Sequence, residues 1–490
     1  MTASIPAAVA IVHYHLQSGG VSRVIAHAAA ALHARGVKVA VIVGEAPPEA
    51  SHLDAPVELA VLPDLGYDPP GQPRADGAGL ADQLESVAKE MLGRAPDLFH
   101  VHNHSLGKNA ALPGALRLLA ERGHRLLLQP HDFAEDGRPD NYRHLLSGHA
   151  ADALYPLAEQ VHYALLTRRD RGLLAAAGIP AAQTHLLPNA VDLQAEPADE
   201  PPLSPSGKRL ILYPTRAIRR KNVGEVLLWA AAADENDRFA LTLAPTNPVH
   251  RPVYDRWKTV AAELALPVEF EVGSGGGADY IELLRSAHVL LTTSVAEGFG
   301  LTFLEPWLVG RALVGRDLPA VTEDFKVEHV DLSPLYEAVR VPVAWIGRET
   351  LQARLARLMT QAYQAYGQQC PADNIEAAMA SLIDAADTVD FGRLDEPLQE
   401  KVIQQVANDA DARAQLQPNA LISPDADDPA RVAANQRIVR DHFSLERYGE
   451  RVLEVYASVL NSETGPVEAL PADAMLRQWL SPERINLLRC

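Results

Sequence analysis

Cysteine is nearly absent from this sequence: 490 residues contain only Cys370 and Cys490. Two thiols so far apart indicate neither a disulfide framework nor a thiolate metal site, and a reducing compartment is their natural setting. Long apolar runs are missing too, so no bilayer-spanning helix is expected. No basic residue precedes the first apolar stretch of residues 1–10, which argues against a signal peptide and makes the cytoplasm the expected location. Positive charge is also scarce. Lys and Arg number 44 against 63 Asp and Glu, a formal net charge of −19. Most of such a surface repels a nucleic-acid backbone, and no Lys/Arg cluster looks like a lipid-docking helix. The imbalance is uneven, about −4 over residues 1–190 and about −15 over the rest.

The remaining composition is that of a globular protein, 47% hydrophobic. The length exceeds what one core holds, so two or three domains are expected. Strand-like apolar runs at 7–14, 37–43, 57–62, 98–104, 125–129, 161–167 and 184–187 alternate with helical periodicity. A Pro- and acid-rich stretch at 195–207 reads as a linker. Strands resume at 208–213, 240–244, 268–272 and 288–293. Strands alternating with helices imply two α/β units with parallel sheets. Beyond Asp317 the pattern changes. Residues 333–345 read as irregular, 349–416 as mostly helical, and 436–461 as one long amphipathic helix with Phe443, Tyr448, Val452, Val455 and Tyr456 near one face.

The most informative stretch is 297–305, EGFGLTFLE, between the 288–293 strand and a helix that stops at Gly310. Its glycines let a ligand approach the backbone, and unpaired N–H groups of a first helical turn suit an anion. Glu297 suits hydroxyl groups beside a phosphate, and Glu305 falls about two helical turns later, on nearly the same face. Two carboxylates with N–H groups between them suit a sugar, a diphosphate and a ribose laid end to end. The plainer alternative is a helix-start glutamate favoured by the dipole and a solvated partner.

A second cluster, Arg216, Arg219, Arg220 and Lys221, is the densest positive charge of the chain and sits at a strand-to-helix turn. It reads as a phosphate clamp, or more plainly as a solvated basic loop. Gly19 and Gly20 follow the first strand without the G-x-G-x-x-G spacing of a dinucleotide site. His131 follows the 125–129 strand, where it can donate to a sugar oxygen. His100, His102 and His104 recur at period two, but without a carboxylate or thiol they read as polar positions at a strand end rather than as a metal site. The D-x-D pairs Asp409/Asp411 and Asp425/Asp427 lie in acid-rich helix ends or loops and read as solvated. No Ser-His-Asp set, cysteine nucleophile or metal cage stands out. The chemistry that fits is departure of a diphosphate stabilised by cations and N–H groups.

Over residues 7–317 and again near 436–461, these features resemble family 4 glycosyltransferases of the GT-B fold, whose E-x7-E motif matches Glu297 to Glu305. The resemblance implies two Rossmann-like α/β/α domains facing across a cleft, with an extra mostly helical C-terminal region. It implies an N-terminal acceptor domain at 1–195, a nucleotide-sugar domain at 208–435 with a helical insertion near 349–416, and helices at 436–490 that cross back to the first domain. It implies that Glu297 contacts the donor sugar's hydroxyls. The N–H groups around Gly298, Phe299, Gly300, Leu301 and Thr302 would hold sugar and diphosphate, and Glu305 the ribose. Arg216 and Lys221 would stabilise the diphosphate, Gly19 and Gly20 would form the N-terminal glycine loop, and His131 would contact the sugar. The implied activity is retaining, metal-independent and cofactor-free hexosyl transfer from a nucleotide-diphosphate sugar to a soluble acceptor. A sugar phosphorylase, a sugar-nucleotide epimerase or a non-catalytic nucleotide-sugar-binding protein would share the architecture. Three places depart from the family pattern: Pro306-Trp307 after the second glutamate, Arg316-Asp317-Leu318-Pro319 where a glycine-rich loop is usual, and the helical stretch 349–416, longer than the family's usual C-terminal part.

Overall fold

The computed structural model describes residues 5–17, 19–47, 53, 57–69, 72–73, 75–147, 153–193, 207–273, 280–423, 425–471 and 473–489. The chain forms two compact units, Met1–Ala190 with Phe443–Leu480, and Val191–His442 with Ser481–Cys490. The expected linker lies almost wholly outside the described residues, as does most of the glycine run after Val272.

The first unit is built on β1 (Ala8–His13), β2 (Lys38–Val43), β3 (Glu58–Val61), β4 (Leu98–His102), β5 (Leu126–Gln129), β6 (Pro156–Leu157), β7 (Val161–Leu165) and β8 (Thr184–Leu186). All but β6 join one parallel sheet in the order 3-2-1-4-5-7-8. Every residue of β1, β4, β5 and β7 is buried, which is why these segments read as continuous apolar runs. Between the strands run α1 (Gly20–His33), α2 (Gly77–Leu92), α3 (Leu112–Glu121), α4 (Pro139–Ser147) and α5 (Arg168–Ala177). Asp76 and Thr167 cap α2 and α5 by accepting from Gly79 N and Asp170 N. The strand expected to reach His104 stops at His102, because Asn103 turns left-handed with φ 57°. Strand order reverses between β1 and β4, so their C-terminal ends part and leave a crevice where such sheets take ligands.

The second unit repeats the plan with β9 (Arg209–Arg216), β10 (Asp237–Leu243), β11 (Val268–Glu269), β12 (Val289–Thr292) and β13 (Ala312–Gly315), parallel in the order 11-10-9-12-13. Its connecting helices are α6 (Val223–Ala232), α7 (Arg251–Glu263), α8 (Tyr280–Arg285), α9 (Glu305–Leu308) and α10 (Pro319–Val327). The order reverses between β9 and β12. The region expected to be irregular contains β14 (Arg340–Pro342) and α11 (Val343–Ile346), and β14 pairs antiparallel with β15 (Thr388–Asp390). This part of the unit also contains α12 (Arg348–Ala365), α13 (Ala372–Leu382), α14 (Glu396–Asn408), α15 (Ala410–Ala414) and α16 (Pro429–His442). Of these, α14 packs on α6.

The single helix expected over 436–461 is two, α16 and α17 (Leu445–Leu460). Ser444 is extended, and its side chain accepts from Arg447 N at 3.3 Å, so it opens a new helix rather than continuing the old one. Tyr448, Val452, Val455, Tyr456 and Val459 of α17 enter the first unit's core beside Val9, Ile25 and Leu32. Next, β16 (Glu468–Ala469) pairs with β6, and α18 (Ala474–Trp479) follows. Two expected boundaries change. The return to the first unit begins at Phe443, not at 436, and residues 481–490 belong to the second unit. There Asn486 donates to Gly392 O at 2.9 Å, Arg393 donates to Ile485 O at 2.8 Å, and Leu487 and Leu488 are buried.

Candidate active site

In the second unit two loops meet where the strand order reverses. After β9 the chain makes a 3-10 turn at Arg219–Lys221, and Asn222, left-handed at φ 52°, opens α6. The loop after β12 is bonded to it. Thr293 Oγ1 donates to the carbonyls of Lys221 and Asn222 at 3.0 and 3.1 Å, and Val295 N donates to Arg220 O at 2.9 Å. This places Glu297, only 8% exposed, between two cations. Lys221 Nζ donates to its Oε1. Arg220 Nη1 donates to Oε2 at 2.9 Å and to Ala296 O at 2.8 Å. Burial pushes the Glu297 carboxyl up, but the charges of Lys221 and Arg220 outweigh it and hold the group below its ordinary value. Burial lowers the Lys221 ammonium, with Glu297 pulling the other way. One carboxylate thus holds two cations at the crevice.

The other sequence candidates fall differently. Arg216 ends β9 exposed, donates to Ala244 O at 3.3 Å, and forms no ion pair among the described residues. Arg219 turns away into a two-pronged bond with Glu396, at 2.6 and 2.9 Å. Glu305 is not two helical turns beyond Glu297. A 3-10 turn, Leu301–Phe303, intervenes, and Glu305 is the first residue of the four-residue α9. Gly300 sets this break with φ 93°, and a Cβ there would come within 2.9 Å of Phe303 and Val321. Glu305 is half-buried, accepts from Tyr280 OH at 3.4 Å, and still acts electrostatically on Lys221. Phe303 N and Leu304 N close the 3-10 turn onto Gly300 O and Leu301 O, which leaves the N–H groups of Leu301 and Thr302 at its open end. Gly298 is half-buried in the loop before this turn. Phe299 is core, meeting Phe325 edge-on at 5.4 Å.

The departure at Arg316 has a structural reason. Arg316 is buried and contacts two buried carboxylates, Glu225 Oε2 at 2.5 Å and Asp390 Oδ2 at 2.8 Å. Tyr336 OH donates to Glu225 at 2.8 Å and receives Trp229 Nε1–H at 2.6 Å. Asn222 Nδ2 donates to Glu225 at 2.8 Å, and Gln399 of α14 donates to Asn222 Oδ1 at 2.8 Å. Helix α14 thus anchors the residue that follows Lys221. Sequence reasoning missed Glu225, although Asn222-x-x-Glu225 has capping-box spacing and could have shown it. It also gave Arg220 no role of its own.

In the first unit, Gly19 and Gly20 open α1 at the end of β1. A Cβ on Gly20 would meet nothing within 4 Å, and one on Gly19 only Gln17 O at 3.8 Å, so the helix N-terminus is open there. His131 follows β5, and its N–H and that of Asp132 donate to Asn103 Oδ1 at 2.7 and 3.0 Å. Its Nε2 lies 2.9 Å from Nδ1 of buried His102, the rings stacked at 15°. Burial lowers His131 to about 3, so the ring is neutral near pH 7. The three period-two histidines part company. His100 bonds Tyr456 OH and Gln129 at 2.8 and 2.9 Å, His102 bonds His131, and His104 lies beyond the strand against Tyr155 and Tyr163.

Comparison with known proteins points to sugar transfer. Residues 18–195 match the family described as Glycosyltransferase Family 4. The chain is 26% identical over 340 residues to mannosylglucosyl-3-phosphoglycerate synthase of Petrotoga mobilis, a match covering 64% of this chain and 66% of that protein. Among solved structures, Anabaena Alr3699/HepE in complex with UDP and glucose superposes with a TM-score of 0.53 at 14% identity, covering 92% of this chain and 99% of that one. Sucrose-phosphate synthase from Thermosynechococcus elongatus gives 0.52 at 14%, covering 92% and 98%. The structural likenesses show the GT-B fold, and residues 18–195 match the glycosyltransferase family 4 model.

Proposed function

We propose that this chain moves a hexosyl group from a nucleotide-diphosphate sugar to a hydroxyl of a soluble acceptor, with retention at the anomeric carbon and without a metal ion or other cofactor. The observation that carries this reading is the Lys221–Glu297–Arg220 cluster at the strand reversal of the second unit. As the bond between the sugar's C1 and the diphosphate oxygen breaks, negative charge develops on the leaving group. Lys221 and Arg220, with Arg216 at the end of β9, supply positive charge for it, and the N–H groups of Leu301 and Thr302 supply donors. The acceptor oxygen bonds to C1 on the face the diphosphate leaves, and its proton passes to the departing phosphate oxygen. Glu297, held ionised by two cations, serves as an acceptor for sugar hydroxyls and not as a nucleophile. Glu305 takes the ribose hydroxyls, Gly19 and Gly20 give the phosphate room, and His131 donates to the sugar.

The relative's name makes phosphoglycerate-bearing glycosides the first acceptors to try, and the Anabaena complexes make UDP-glucose the first donor. The test combines thermal shifts with UDP-, GDP- and ADP-linked sugars, since a ligand of the folded state raises the melting point, with NMR of the product's anomeric configuration. Transfer that persists in EDTA with retained configuration supports the proposal. No shift and no transfer with any nucleotide sugar would end it, and product formed only with free phosphate would make the protein a phosphorylase.

A further inference from the structure

We propose that His102 is a positioning residue for this reaction: by donating from Nδ1 to Nε2 of His131, it fixes His131 as the tautomer that carries its proton on Nδ1. The inference rests on the reading of His131 as a sugar contact, but its structural half stands apart from it. Two neutral imidazoles that share one hydrogen bond need one protonated nitrogen and one bare nitrogen, and two arrangements satisfy this. They differ at the far nitrogens. His102 Nε2 is buried and has no partner among the described residues. If His131 were the donor, the proton of His102 would sit on that dry Nε2, and orphaned buried N–H groups are the kind folded proteins avoid most consistently. If His102 is the donor, only a lone pair is left dry. His131 Nδ1–H is then the free donor, on a half-buried ring whose Nδ1 bonds to nothing among the described residues.

The surroundings leave His102 little freedom to turn. His13 Nδ1 lies 3.3 Å from the His102 carbonyl, and the His100 ring packs on the His102 ring at 4.3 Å. Asn103 holds the backbone of His131 and Asp132, and Tyr14 OH donates to Asn103 O at 2.9 Å. Ring positions are therefore set by packing, and the remaining variable is the proton. A donor aimed at a sugar needs N–H on Nδ1, which the family-matching His131 cannot guarantee alone. The second histidine of β4 supplies that.

The test is NMR of protein labelled with 15N-histidine, with the His131 signals assigned through His131→Asn. Long-range proton–nitrogen spectra should show His131 protonated at Nδ1 and bare at Nε2. His102→Asn, whose amide N–H falls near the original Nδ1, should keep that tautomer and stay within about threefold of wild-type kcat/KM. His102→Leu should lose it, with kcat/KM for transfer falling about tenfold, the scale of one hydrogen bond. Wild-type His131 protonated at Nε2 overturns the proposal, and so does a His102→Leu enzyme that keeps full turnover. If His102→Leu fails to fold, the wild-type spectrum and the Asn variant decide. Absence of any transfer by wild type would sink the functional reading alone, with the tautomer still judged by the spectrum.

Discussion

Glu297 shares its two oxygens between Lys221 and Arg220, so each cation is held in place before any ligand arrives. That preorganisation is what electrostatic catalysis needs, because nothing has to be reoriented as charge develops. Lys221→Ala should lower kcat for sugar transfer by about 100-fold or more, the scale of removing one such group. Steady-state rates with a saturating donor measure it, and a variant within threefold of wild type would remove Lys221 from catalysis. Arg220→Ala should be costly as well, because its guanidinium also fixes Ala296 O. Arg216 bonds a backbone carbonyl and no carboxylate among the described residues, so its replacement removes charge from the leaving group and should lower kcat too, by less than that of Lys221. At this scale the sequence was readable where a residue's own chemistry announced it. A carboxylate after a strand and a basic run in an acidic chain both stood out. Which two of three adjacent cations turn toward Glu297 was not legible, since a 3-10 turn sends Arg219 to Glu396 and both Arg220 and Lys221 to Glu297 without any periodicity to show it.

At the scale of elements, α6, the β13 end and β15 are joined by the Glu225–Arg316–Asp390 triad, whose members are all buried. Removing the cation from such a set strands two carboxylates away from water. Arg316→Met should therefore destabilise the second unit by about 3–5 kcal/mol, measured by denaturant unfolding. A loss under about 1 kcal/mol would mean the triad does not hold these elements together. At the return helix, Ser444→Ala removes the cap of α17 and should cost about 1 kcal/mol. The buried strands β1, β4, β5 and β7 were legible because a parallel sheet writes them as apolar runs. The pair β14 and β15 was not, because three residues carry no period. Glu305 was misplaced for a related reason. Counting helical turns from Glu297 assumes a helix that Gly300 prevents through its close approach to Phe303 and Val321. The α17 stripe was readable from its apolar spacing, whereas the return of 481–490 depends on an Asn486 bond to Gly392 O that no pattern encodes.

On the scale of the whole molecule, the two units respond differently to acid. The first buries a group of histidines in neutral form. Burial lowers His13, His104 and His131 to about 3, lowers His100 to about 4, and holds His102 well below the usual range. In the unfolded chain each titrates near 6.5. Below that value the unfolded state binds protons that the folded state refuses, so stability falls as pH falls. Each histidine contributes a loss of up to about 1.4 kcal/mol per pH unit between its two values. Glu135 works against this. Burial raises it to about 7, so it takes up its proton in the folded state first and offsets roughly one histidine between pH 7 and its unfolded value. Four histidines remain uncompensated by it, enough to remove several kcal/mol between pH 6.5 and 5. The first unit's melting point should therefore drop steeply over that range. Its signal is separable, because Trp479 is the one tryptophan of the first unit, and the other four, Trp229, Trp257, Trp307 and Trp345, lie in the second. The fluorescence transition lost on Trp479→Phe reports the first unit, and the transition that remains reports the second. The first should move to lower temperature at pH 5 by clearly more than the second. Equal shifts, or a first-unit transition that does not move, would show that these histidines are not kept neutral by burial.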